Sequence, residues 1–155
     1  MREPNNRSKE RGSNIVEMAV LMTLLLLMVL GVIDFGRLLY IKIEVVNAVR
    51  AGALYGAQGP STATDTTGIT FAIKNESADL SSAISGIVAG PPVCQCVGGG
   101  NVTCGTSGGC GAAPQIEWLT VRASVVYVPW FKFTYFGLPA SFLIQSSATM
   151  PVAGV

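Results

Sequence analysis

The feature that most limits what this chain can fold into is an apolar run near its start. From Met18 to Ile33 sixteen residues pass without a charge, and from Ile15, with Glu17 included, the run is nineteen. About 20 apolar residues in a helix cross the ~30 Å of hydrocarbon in a bilayer. A soluble protein could hide such a helix only by surrounding it, and 155 residues are too few for that. A membrane span over residues 15–33 follows, with one anomaly. Glu17 puts a carboxylate into it, at a cost of about 2.5–3.5 kcal/mol even on the milder insertion scales. Either the side chain reaches back to the interface, or it has a cationic partner.

The flanks set the orientation. Residues 1–12, MREPNNRSKERG, hold Arg2, Arg7, Lys9 and Arg11 against Glu3 and Glu10. Basic residues stay on the cytoplasmic side of a first span, which places the remainder of the chain outside. Without this leader the chain carries six basic and seven acidic groups, so it offers no basic surface for nucleic acid.

Cysteine usage agrees with export. Cys94, Cys96, Cys104 and Cys110 all follow the span, spaced C-x-C-x7-C-x5-C. The chain has no histidine, and paired C-x2-C knuckles are absent, so disulfides are the better reading than a metal. A Cys94–Cys96 bridge would close a very tight ring, which leaves two pairings open, crossed or nested. Seven glycines lie around these cysteines between Gly98 and Gly111, so the loop over residues 93–111 depends on its bridges.

Beyond Ile33 the helix pattern continues to about Ala57 without a proline. Asp34, Arg37, Glu44 and Asn47 fall near one stripe, and Leu38, Ile41, Val45, Val49 and Ala53 on another. Asp34 and Arg37 are spaced to pair at i,i+3. A helix over residues 13–57 would be about 67 Å long, so half of it must form a stalk or pack against an external domain. Residues 58–67 read as a polar loop. Ile69, Ile73, Leu80, Ile84 and Ile87 then recur at helical spacing and predict a second, amphipathic helix over residues 69–88. From Ile116 to Val128 the alternation of Leu119, Val121, Ala123, Val125 and Tyr127 with polar residues predicts a strand, and a second runs from Ser141 to Met150. The two form an antiparallel pair that needs a helix over one face. Their connector carries Trp130, Phe131, Phe133, Tyr135 and Phe136. These either fold back on the sheet or headgroups, or form a contact patch for another subunit.

The fold class is therefore α+β: a long transmembrane and stalk helix, a second amphipathic helix, a small antiparallel sheet and a disulfide-bridged loop. The domains are a basic leader (1–12), the long helix (13–57) and an exported domain (58–155). No catalytic constellation is visible. Without histidine, acid–base chemistry would rest on the scattered Asp65, Glu76, Asp79 and Glu117, and no cofactor or metal motif appears. Asn75-Glu-Ser and Asn101-Val-Thr fit the short glycosylation sequon. No small-residue signal-peptidase site follows the apolar run, so the span is expected to be kept.

Gly12, then Ser13-Asn14-Ile15-Val16-Glu17 and an apolar helix, resembles the processing site of type IV prepilins. That resemblance implies cleavage after Gly12 by a prepilin peptidase on the cytoplasmic side, with Glu17 the fifth residue of the mature chain. RGSNIVEMAVL, then GVIDFGRLLY, with Asp34, Phe35, Gly36 and Arg37, then NAVRAGALYGA from Asn47, is similar to the TadE-like pseudopilins of tight-adherence (Tad) pili. The likeness covers about residues 11–57, with a looser one in SFLIQSSATM. Met18 stands where the family commonly has an aromatic, and Thr23 where many members have a helix-kinking proline. The resemblance implies a pilin-like minor subunit of the bacterial inner membrane or pilus, without enzymatic activity. Its implied partners are the peptidase, the inner-membrane assembly platform and other pilin subunits. The alternative reading is a single-pass, membrane-anchored binding module or adhesin.

Overall fold

The computed structural model describes residues 7–104, 110, 111, 113–130, 137 and 139–153. The chain divides into two units, Met1–Arg37 and Leu38–Val155, and the boundary falls within the first helix, α1 (Arg7–Gly56).

In the first unit α1 begins at Arg7, earlier than the expected Ser13. Arg7, Lys9, Glu10 and Arg11 are good helix formers, and a single Gly12 costs a helix only about 1 kcal/mol. Every residue from Asn14 to Ile33 is exposed except the half-buried Leu30. Thr23, where a proline would kink the helix, donates its hydroxyl to the Ala19 carbonyl at 2.8 Å and the helix runs on. Arg37 and Asp34 form the expected i,i+3 pair at 3.6 Å.

The second unit is built on a long central strand. After α1 come α2 (Pro60–Ala63), α3 (Thr66–Glu76), a 3-10 turn (Ala78–Leu80), β1 (Ile84–Ala89), β2 (Val93–Cys96), β3 (Asn101–Val102), β4 (Gln115–Tyr127) and β5 (Phe142–Pro151). β5 pairs antiparallel along one edge of β4, from Trp118↔Pro151 to Tyr127↔Phe142. β1 and β2 share the other edge, both antiparallel, and β3 closes a hairpin with β2. The predicted alternation holds: Leu119, Val121, Ala123, Val125 and Tyr127 are buried on one face.

Two helices cover that face. Val45, Ala48, Val49 and Ala53 of α1 and Ile69 and Ile73 of α3 join the β4 residues in one core, and each large side chain there contributes about 1.5–3 kcal/mol. Small residues on α1 permit the contact. A Cβ on Gly52 would stand 2.5 Å from Ile73 Cγ1, and one on Gly56 would overlap Leu119 Cδ2.

Two expectations need correction. The second helix does not run over residues 69–88: α3 ends at Glu76, and residues 84–89 are strand β1. The cause is a β-bulge. Ser85 pairs with Ser124 and Val88 with Arg122, so β1 spends three steps where β4 spends two, around Gly86 at φ 58°. The extra residue turns both Ile84 and Ile87 toward the core although they are three apart, which imitates a helical period. Residues 58–67 are not all loop but contain α2, opened by Pro60 at its first position. The expected cysteine loop includes a short hairpin, β2–β3. Gly98, Gly99 and Gly100 turn it at φ 105–108°, which L side chains rarely adopt.

Candidate functional site

The residues singled out at the start of α1 lie on one regular helix. Gly12 and Ser13 are helical and Glu17 is exposed. Ser13 and Glu17 are four apart, so they share a face about one turn from each other. Side chains on a helix lean toward its N-terminus, which aims Glu17 back over the turn that holds Ser13. Further along, Asp34 and Arg37 are half-buried while Phe35 and Gly36 are exposed, with nothing within 4 Å of where a Gly36 side chain would begin. In the second unit Asn47 is exposed beside the buried Val45 and Ala48.

The cysteines are paired Cys94–Cys104 and Cys96–Cys110, the crossed alternative. Cys94 and Cys96 share a face of β2, and Cys94 is buried. The two bridges therefore tie the glycine-rich segment to a strand that is itself paired to β4. Of the aromatic connector, Trp130 is 67% exposed. Phe131, Phe133, Tyr135 and Phe136 lie outside the described residues.

One polar cluster was not anticipated. Asp65 caps α3, accepting from the Gly68 amide at 3.0 Å, and its other oxygen accepts from the Tyr55 hydroxyl at 2.8 Å. The Gly68 amide, then the Tyr55 hydroxyl, hold the Asp65 carboxyl below its ordinary value, and the same bond pushes the Tyr55 hydroxyl up. This joins the end of α1 to the start of α3. The signal was present in the sequence: an aspartate directly before a helical pattern is a capping residue. Lys42, whose ammonium donates to the Gln145 carbonyl at 2.8 Å, fastens α1 to β5 and had no local signal.

An open recess of ≈ 360 Å³ on the outer face of the sheet is lined by Gly86, Val88, Arg122, Ser124, Gln145 and Ser147, among others, with Arg122 its one ionisable group. Among the described residues no three His, Cys, Asp or Glu side chains are grouped as a metal site would need.

Fold and site together define a class: one exposed apolar helix, long enough to cross a membrane, continuing into a small disulfide-bonded α+β unit. Within that class, comparison with known families gives a match over part of the long helix. Residues 12–54, less than half of the chain, match the TadE-like protein family, a segment that opens at Gly12 and closes among the small residues of α1. No curated protein and no solved structure matches the chain.

Proposed function

We propose that this chain is a minor pilin or pseudopilin, a structural component of a Tad-type pilus assembly system. The observation that carries the reading is the family match over residues 12–54, on a helix whose side chains from Asn14 to Ile33 are left almost entirely exposed. The chain inserts with residues 1–12 in the cytoplasm, and a prepilin peptidase cuts after Gly12. It is then a single-pass protein of the bacterial inner membrane with its second unit outside, available to the assembly platform and to other pilin subunits.

Cleavage gives Glu17 its partner. The new α-amine of Ser13 is positively charged near neutral pH. The matching amine of a neighbouring subunit, offset by about one turn, neutralises the Glu17 carboxylate within the membrane boundary and sets the register of assembly. The pairing accounts both for the tolerance of Glu17 in the span and for what it does there.

Two substitutions in the native host separate the steps. Gly12→Ala should leave the precursor uncut, visible as a slower band on a gel. Glu17→Ala should be cut and inserted yet fail to co-purify with the other pilins. If Glu17→Ala assembles like wild type, the register role is wrong even though processing stands.

A further inference from the structure

The second unit carries an apolar cluster at one end of its sheet, at the mouth of the β4–β5 hairpin. Val126 and Leu143 are cross-strand partners on the outer face, 54% and 59% exposed, and Phe142, paired with Tyr127 on the opposite face, is 36% exposed at the same end. Val128 and Trp130 follow directly, 49% and 67% exposed. No charged residue occurs in 126–130 or 139–144. Large exposed apolar residues gathered at one end of a sheet, an aromatic among them, mark a contact with another protein or a membrane, so the question is what covers them.

Two contacts within this unit fix which end of it the cluster occupies. The Lys42 ammonium meets the Gln145 carbonyl, and the Ala153 amide donates to the Ala57 carbonyl at 2.8 Å. α1 and β5 therefore run in the same direction. Stepping back from Lys42 to Leu38 leads toward the same end as stepping back from Gln145 to Phe142. The cluster thus sits at the end where the chain enters the unit, at Leu38. Leu38 follows Ile33, the last residue of the apolar run, by five positions. Even fully extended, five residues span no more than about 18 Å, so the tether keeps this end of the unit close to the bilayer edge.

We infer that the β4–β5 mouth is a lipid contact, a second and peripheral attachment that seats the exported unit on the headgroup region of the membrane its own helix crosses. Trp, Phe, Leu and Val suit that zone, where an aromatic ring has both apolar and wet surroundings. Charge neither drives nor prevents the contact: residues 38–155 hold five basic and five acidic groups. Two of the acids, Glu44 and Asp79, face Tyr40 near the same end and raise its hydroxyl's pKa, Glu44 the more strongly. These carboxylates would weaken attachment to anionic lipid, so the contact is apolar and strongest on zwitterionic phosphatidylcholine, which has no net charge.

The inference rests on α1 being a membrane anchor, and the test separates the two. Full-length protein is reconstituted into phosphatidylcholine vesicles, and flotation with the vesicles reports the anchor. The difference between wild-type and Trp130→Phe emission isolates Trp130 from Trp118. The expected Trp130 signal is blue-shifted, quenched by brominated phosphatidylcholine and shielded from aqueous iodide. A Val126→Glu/Leu143→Glu variant should float as before yet lose the bromolipid quenching and become open to iodide. If the protein floats while iodide reaches Trp130 freely, the lipid contact is wrong and the anchor stands. Shielding from both quenchers assigns the patch to a protein neighbour and overturns the inference. Failure to float removes the anchor, and the inference with it.

Discussion

The two ends of α1 are made of different residues for different surroundings. Its first part, through Ile33, carries Leu24, Leu25, Leu26, Leu27 and Met28, each more than half exposed. Its last part carries Ala48, Gly52, Ala53 and Gly56, all buried. Large flexible side chains suit a fluid apolar solvent, which makes no demand on shape. Small ones suit a solid neighbour, because they let α3 and β4 approach the helix backbone. Hydrophobicity alone would have put both parts in one class; side-chain size separates them. The TadE-like match, residues 12–54, takes in the exposed apolar stretch and the packed stretch as far as Ala53, though not Gly56.

The largest effect should come from the packed part. Ile73→Ala removes a side chain with no exposed surface that lies against Gly52, and should destabilise the second unit by about 2–5 kcal/mol. Denaturant unfolding in detergent, followed by far-ultraviolet circular dichroism, measures it. Next, Gly56→Val should cost about 1–3 kcal/mol, since its added carbons meet Leu119. Gly36→Val, in open space on the same helix, should not show this overpacking loss. Equal losses at both positions would erase the distinction between the two parts.

A smaller effect is tied to pH. The folded Asp65 carboxyl lies below its ordinary value near 3.8, so the unfolded chain takes up the proton first as pH falls. Its contribution is fully present well above pH 3.8 and is lost as pH drops through the lower folded value. The thermal midpoint of wild type should exceed that of Asp65→Asn at neutral pH, and the gap should close below about pH 3.8. The smallest effect is expected in the exposed part. Leu24→Ala removes as many carbons as a core truncation, yet should change the unfolding of the second unit by no more than about 0.5 kcal/mol.

How much of this could be read from the chain follows from how local each signal is. β4 alternates strictly, with one face buried, so period and burial agree and residues 115–127 were legible. So was α1, from the length of its apolar run and the helical period of the Leu38–Ala53 stripe. β1 was not, because its bulge at Gly86 sets Ile84 and Ile87 at a helical interval, and only the register with β4 removes the ambiguity. The choice between crossed and nested disulfides was closed to spacing arguments, since it depends on β2 being paired to β4 and holding Cys94 and Cys96 on one face. Of the candidate site, Gly12, Ser13 and Glu17 stand in the sequence as a linear pattern, which is all that the proposed cleavage would need to read. The closeness demanded of Gly52 and Gly56 was not, because the atoms they accommodate belong to α3 and β4.

The account turns on the cut that would make Glu17 the fifth residue of the mature chain. Intact mass spectrometry of the protein taken from native-host membranes tests it most directly. The predicted result is a chain that begins at Ser13. A mature protein that still carries Met1 or Arg2 would contradict the account at its centre.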